Sequence, residues 1–286
     1  MITYSNKLDA LVPNVVIPGR AIYVSSLVGR GTSAGSKLDP LDTLTNGLAL
    51  CVSGRGDTVY LMPGHAEAIT GAGTVTCNKT QVSIVGLGKG LLRPTFNFTT
   101  STAATWLVTA ADVSVENVYF TMGIDGVIMP FNIQGSGFTM KNCEVYFAKN
   151  DYVALKVMSV TTAAGTNLTL VDNHWRGDAT ANCVAALTIL GGSCIKIKNN
   201  IIRGNFTVTA GAIVGTGTLA TDVTIDGNIL ENKTAVANKA IVLLTGTTGR
   251  IVNNKMLTAT ATTVFPVTTD GCVCTGNKWS TITSFA

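Results

Sequence analysis

The chain has 286 residues, enough for one elongated domain or two small ones, and a formal net charge of +4 without a basic run, which gives nucleic acid no electrostatic footprint. Charged residues make up only 13%, so Thr, Ser, Asn and the 30 glycines must supply most of the polar surface and the turns. No apolar run is long enough to cross a membrane as a helix, and the start Met1–Asp9 lacks a charged-then-apolar secretion pattern, so neither a membrane partner nor an exported form is expected.

Residues 1–20 carry Pro13 and Pro18 and show no period. They read as an extended arm, packed either on a neighbouring subunit or on the chain's own body. Residues 21–286 read as one domain. Ala21 to Ser25 is a strand, and Gly29 to Gly35 a loop. Asp39-Pro40 opens the one plausible helix, at about 39–52, with Asp39 as its cap and Pro40 at the first helical position. Leu41, Leu44, Leu48 and Cys51 recur there at helical spacing, although Gly47 weakens the helix.

Gly56 to Gly64 is strand, then turn. His65-Ala66-Glu67 matches half of the zinc-deaminase signature H-x-E…P-C-x-x-C. The second half is missing, so the plain reading is a polar turn. Gly86-Leu87-Gly88-Lys89-Gly90 follows a strand, as a phosphate loop would, but Leu91-Leu92-Arg93-Pro94 leads into more strand-like sequence and not into a helix. A bend is the simpler reading.

From there one pattern repeats. It is clearest at Ser193 to Arg203, where Ile195 and Ile197 alternate with Lys196 and Lys198 before Asn199-Asn200 breaks the strand. Aligned copies give a turn column of Gly86, Asn117, Asn142, Asp172, Asn199, Gly227, Asn253 and Gly276, recurring every 23 to 31 residues. All are residue types that tolerate a left-handed backbone. The next column ends in Asn173, Asn200, Asn228, Asn254 and Asn277. Two residues before the turn stand Ile84, Val115, Met140, Leu170, Ile197, Ile225, Ile251 and Cys274. Three after it stand Phe120, Val145, Trp175, Ile202, Leu230, Met256 and Trp279.

Strand periodicity recurring at this length points to a solenoid. The expected fold is all-β: a single-stranded parallel β-helix of about eight to nine coils, stacked at about 4.8 Å. Apolar columns form the core, the asparagines form a hydrogen-bonded ladder, and the short helix covers the open first coil, where an unpaired edge would otherwise face water. An antiparallel sandwich is the alternative, but its turns have no reason to align along the whole chain.

The seven cysteines, Cys51, Cys77, Cys143, Cys183, Cys194, Cys272 and Cys274, are odd in number and lack C-x-x-C. Cys272 and Cys274 fall on one face of a strand, in inward columns. They read as free, buried hydrophobes made in a reducing compartment; a C-x-C metal half-site is the other option.

The segments around Tyr23-Val24, Asp39-Pro40-Leu41-Asp42-Thr43-Leu44 and Gly56-Asp57-Thr58-Val59-Tyr60-Leu61-Met62-Pro63-Gly64-His65-Ala66-Glu67 resemble the entry segment of pectate-lyase-like right-handed β-helix proteins, above all the copies among phage and prophage virion proteins. The resemblance spans roughly residues 20–280. It implies a right-handed winding, which the general preference for right-handed crossovers also favours. It further implies a virion structural protein (spike, appendage or head decoration), made in the host cytoplasm and assembled as a homotrimer with itself and with other virion proteins, a host surface glycan being a further candidate partner.

The alternative is a polysaccharide-binding or polysaccharide-cleaving enzyme. Cleavage by hydrolysis needs two carboxyl groups about 5–9.5 Å apart, whereas Asp125, Glu144, Asp151, Asp172 and Asp178 are scattered over different columns. The N-T-D, D-D and H-G motifs of the family's hydrolases are absent. Arg176, Arg203 and Glu231 share one column; Arg176 or Arg203 with Asp178 is a conceivable catalytic set, and Arg203–Glu231 and Glu116–Lys141 read as exposed cross-coil pairs. No catalytic residue, cofactor or metal is therefore assigned. Three segments, Ala210 to Gly217, Ala235 to Gly246 and Ala259 to Thr269, are nearly free of charge and are expected to present apolar flanks for self-association.

Overall fold

Short apolar-polar alternations, each ended by Asn, Asp or Gly, wind into three parallel sheets around one core. The structure, a computed structural model, describes residues 19–149, 152–177, 182–206, 211–233, 239–258, 267–268 and 271–281. The expected arm thus falls almost wholly outside the described residues.

The first sheet holds ten strands, from Ala21–Val24 and Thr58–Leu61 to Cys272–Thr275. The second holds eleven, from Ala66–Ile69 to Lys278–Thr281, two of which, Tyr152–Val153 and Asn182–Cys183, lie off its main path. The third holds eight, from Val75–Cys77 to Val267–Thr268. Each coil visits the sheets in that order, and each strand pairs in parallel with its counterpart one coil on, so that Ile197 lies between Leu170 and Ile225. The solenoid runs for about seven regular turns, fewer than expected. Ala21–Val24 and Cys272–Thr275 belong to partial turns, and the third sheet thins to two residues at Ile241–Val242 and Val267–Thr268.

The inward columns are buried from Ile84 to Ile251 and from Phe120 to Met256. The core changes character along the axis. In the early coils Phe96, Trp106, Phe120 and Phe131 meet edge to face, with ring centroids 4.9 Å (Phe96–Trp106), 5.3 Å (Trp106–Phe120) and 4.8 Å (Phe120–Phe131) apart. The later coils are richer in aliphatic side chains, around Ile195, Ile197, Ile225 and Ile251, with buried Trp175 and the stacked Phe147–Phe206 pair (centroids 5.9 Å apart) among them.

The corner between the first and second sheets also changes. In the later coils it is two residues long. Asn142, Asp172, Asn199 and Asn253 hold φ near +50° to +56°, with Gly227 and Gly276 in the same role. The next residue is the ladder asparagine. Its Nδ2 donates to the following rung's Oδ1, at 2.9 Å from Asn173 to Asn200, 3.0 Å from Asn200 to Asn228, 2.9 Å from Asn228 to Asn254 and 3.0 Å from Asn254 to Asn277. The same Nδ2 reaches back to a carbonyl one coil earlier, as Asn228 does to Ile197 O at 2.9 Å. Each Oδ1 also accepts the previous rung's backbone N–H. Four of these asparagines are buried, and the amide is satisfied on both sides.

Gly86 departs from its column. It lacks a positive φ, and is glycine because a Cβ there would lie 2.2 Å from Asn117 O. Its corner runs on through a 3-10 turn at Gly90–Leu92.

The helix is shorter than expected, Leu44–Ala49, and its cap is Thr43, which accepts from Asn46 N at 3.3 Å. Asp39 instead accepts from Ala34 N at 2.9 Å. The reason lies at Leu41, which bridges to Val24 as an added edge of the first sheet; Leu41 N donates to Tyr23 O and Leu41 O accepts from Ser25 N. That extended backbone cannot be helical.

The cysteines divide. Cys51, Cys77, Cys143 and Cys183 are buried, and burial pushes the Cys77, Cys143 and Cys183 thiols up to about 12. Cys194 sits at φ 56° opposite Asp222 at φ 51°, a left-handed position in both strands with the register unbroken, and is half-buried. Cys272 is half-buried and Cys274 exposed, against expectation. No described residue stacks on the last described coil, so among the described residues its inward column is open. Trp279 is 43% exposed for the same reason, whereas Trp175 in the same column is 1% exposed.

The expected apolar flanks are described only in part. In the first segment, Ala212, Ile213 and Val214 are buried within the chain itself, and Val214 packs on Ala185, whose strand Ala185–Ile189 is buried on both faces. In the second, Ala240, Ile241 and Leu243 are buried while Val242 and Leu244 are half-buried. The third, Ala259 to Thr269, lies almost wholly outside the described residues.

Candidate functional site: a charged groove on the second sheet

Two outward columns run along the second sheet. One contains Thr95, Tyr119, Glu144, His174 and Ile201; the other contains Asn97, Thr121, Tyr146, Arg176, Arg203 and Glu231. Register places Glu144 one coil before His174 and beside Arg176. Glu144 Oε1 lies 3.1 Å from Arg176 Nε, and its Oε2 lies 3.4 Å from Arg93 Nη1. Arg93 comes from the long bend before Thr95, and its Nε donates to Asn117 Oδ1 at 3.1 Å. The Arg176 guanidinium lies 4.2 Å from the Tyr146 ring centroid, a stacked arrangement. Gly90, Arg93, Tyr119, Glu144 and Arg176 line a groove of about 310 Å³. Two cations are thus clamped by one carboxylate, and Arg176 spends only its Nε on it.

Further along, Arg203 Nε lies 3.2 Å from Glu231 Oε2, with Lys233 Nζ 3.9 Å from Oε1. The expected Arg203–Glu231 pair is present, and so is Lys141–Glu116 at 3.7 Å. Burial holds the His174 pKa below its ordinary value, opposed by Glu144 and reinforced by Arg176 and Arg203.

The remaining carboxylates do not converge. Asp125 accepts from Val153 N at 3.0 Å, and Asp172 sits in a corner at φ 56°. Asp151 and Asp178 lie outside the described residues, and with Asp178 the conceivable arginine–aspartate set. Sequence reasoning missed the Arg93–Glu144 link, since Arg93 belongs to no repeated column.

His65 and Glu67 form an internal strut. His65 Nδ1 accepts from Ser26 N at 3.0 Å, so the other ring nitrogen carries the proton toward Glu67 Oε2, 3.2 Å away. That oxygen also accepts Leu44 N at 2.8 Å. The strut ties the first coil to the helix and replaces the expected polar turn; His65 is buried. Asp57, also unforeseen, is buried and accepts from Arg20 N, Val52 N, Arg55 Nε and Arg55 Nη2. No metal-ligating cluster occurs among the described residues, and no described helix is long and apolar enough to cross a membrane.

The outer face of the second sheet can therefore bind an anionic group, but as described it offers no pair of free carboxyl groups for acid–base work. The parallel solenoid agrees with the fold implied by the resemblance to β-helix proteins, whereas the likeness to phage copies gains nothing further: no family model, no curated protein and no solved structure matches the chain.

Proposed function

We propose that the protein is a structural component of a bacteriophage virion, a right-handed β-helix that acts as a rigid, non-catalytic assembly unit. The observation that carries this reading is the engagement of the outward carboxylates: Glu144 is held by Arg93 and Arg176, and Glu231 by Arg203 and Lys233. Carboxylates held in this way brace coils and are not free for acid–base work on a substrate. The helix Leu44–Ala49 closes the N-terminal end of the core, with Leu44, Gly47 and Leu48 buried and Gly47 close against Val24 and Val59. At the other end Val273, Cys274 and Trp279 stand exposed, where neighbouring copies of a homotrimer would cover them. Light scattering at low concentration tests this: a mass of three chains is expected, and a monomer that releases sugar from an acidic polysaccharide overturns it.

A second reading, binding or cleavage of a polysaccharide, is favoured by the groove between Arg93 and Arg176, where Tyr119 offers a ring beside the two cations. Incubation with an acidic polysaccharide, followed by assay of new reducing ends, decides it; no product and no retention on the immobilised polymer would remove it.

A further inference from the structure

We propose that the corner joining the first two sheets in the early coils is a docking surface for an anionic lipid membrane. This goes beyond the assembly role and does not depend on it.

Three bends follow successive strands of the first sheet: the one after Ala21–Val24, the one after Thr58–Leu61, and the one after Ser83–Gly86. Those strands pair in register, so the bends stack on one corner. Leu27 and Leu92 meet over Gly64, their methyl carbons 3.2 and 3.7 Å from where its Cβ would stand, and Gly64 N donates to Leu92 O. The strip is apolar and uncovered: Leu27 is 69% exposed, Val28 67%, Leu92 58%, and Leu91 fully so. Leu91 sits on the 3-10 turn Gly90–Leu92, which makes the surface convex. A convex apolar tip fits a deformable layer of acyl chains.

The second, independent observation is charge. Lys89 precedes the turn and is exposed. Gly90, its first residue, also lines the groove of Arg93, Glu144 and Arg176, so the apolar strip adjoins two fixed guanidinium groups that share one carboxylate, a cluster that stays net cationic and to which Lys89 adds a further positive charge. Both terminal nitrogens of Arg176 lack a protein acceptor among the described residues. Guanidinium and phosphate match in geometry, and each cation near an anionic leaflet strengthens binding about fivefold. Leucines entering the acyl boundary while arginines hold headgroup phosphates is the pattern of a peripheral membrane contact. The cationic rim also argues against a second copy of this chain at the same place, since like charges would be opposed. The earlier expectation of no membrane partner rested on the lack of an apolar span, which does not bear on a surface built from bends.

The test is sedimentation of the full chain with vesicles, of phosphatidylcholine alone and of phosphatidylcholine with phosphatidylserine. Binding is expected to the mixed vesicles only, and to weaken as salt is raised. The double substitution Leu91→Ser with Leu92→Ser should lower partitioning about tenfold or more, and Arg176→Gln about fivefold. The two leucines are exposed and Arg176 is half-buried, and circular dichroism of each variant checks the fold. Absence of binding to mixed vesicles overturns the proposal, as does equal binding by the leucine variant. An adjacent arm uses inorganic phosphate. If phosphate raises the melting temperature while vesicles do not bind, the groove is a site for a free anion and the membrane reading fails. Failure here leaves the oligomer mass untouched, so it is distinguishable from failure of the assembly reading.

Discussion

The same corner is built in two ways along one solenoid. In the later coils it is closed: two residues, one with left-handed backbone and one asparagine whose amide is consumed by the coils on either side. In the early coils it is open. Asn117 again holds φ 56°, but its side chain turns to the carbonyls of Gly86 and Gly88 at 2.7 and 2.9 Å, holding a long bend instead of continuing a ladder. Val118 and Cys143 stand where the ladder would extend. A ladder repeats itself with nothing left over for a partner. A bend held by one asparagine can carry leucines and a lysine outward. The stack of sheets beneath is the same in both, so the difference between inert scaffold and candidate surface lies in a few corner residues.

The largest effect tests the shared scaffold. Ile197→Asp would put an unpaired charge between Leu170 and Ile225 and should leave no soluble folded protein, while Lys196→Asp, one residue away and exposed, should shift stability by less than about 1 kcal/mol. Expression and thermal melting of the pair check this; similar behaviour would mean the strand faces are misassigned.

The two corners should then part in energy. Asn228→Ala removes donations to Ile197 O and Asn254 Oδ1, strips Asn200 N of its acceptor and takes one of two from Asn200 Nδ2. Leaving buried donors unpaired should cost about 4 kcal/mol. Asn117→Ala, in the open corner, should cost about 2 kcal/mol, from a strained φ and from bonds that water can replace in a half-buried setting. Urea denaturation of both variants gives the comparison, and equal costs would erase the distinction between closed and open corners.

Acid should act on the early end. The Arg55 guanidinium, ahead of the Val52 and Arg20 amides and against burial, holds the Asp57 carboxyl down at about 2. A depressed carboxylate pKa contributes stability that is fully present above the unfolded value near 4 and lost as pH falls through the folded one. Between about pH 4 and 2 the protein should therefore lose about 2 kcal/mol through this group. Melting temperature against pH should show the loss, and Asp57→Asn should flatten it.

How much of this could be read in advance follows from distance along the chain. The asparagine ladder was legible because each rung is spelled locally, as in Asn199-Asn200 or Asn253-Asn254, and strict register does the rest. The Arg93–Glu144 link was not, because the two residues are 51 positions apart and the bend that carries Arg93 occurs once. The helix start misled because Asp39-Pro40 has the right composition, while Leu41 is claimed by a sheet edge that only the folded chain creates. The exposure of Cys274 was hidden for a similar reason: a column assignment says which way a residue points, not whether another coil lies above it.

The smallest expected effect sharpens the comparison most. Cys143 occupies the position just before the first rung: its backbone N–H already donates to Asn173 Oδ1 at 2.9 Å, and its Sγ lies 3.7 Å from Val115 O and 3.3 Å from Lys141 O. These are the surroundings of a rung. In Cys143→Asn the new Nδ2 would have Asn173 Oδ1 and Val115 O as acceptors, as Asn173 has Asn200 Oδ1 and Met140 O. Its Oδ1 would face Val118 N, as each later Oδ1 faces the preceding backbone N–H. A buried asparagine is ordinarily costly, but here each of its groups has a partner, so the change in stability should stay within about 1 kcal/mol. Leu170→Asn, equally buried but in an apolar column, should cost several times more, about 3–5 kcal/mol. Urea midpoints of the two variants settle the matter. Were Cys143→Asn as damaging as Leu170→Asn, the ladder would depend on more than its corner, and the boundary between closed and open coils would not lie at Cys143.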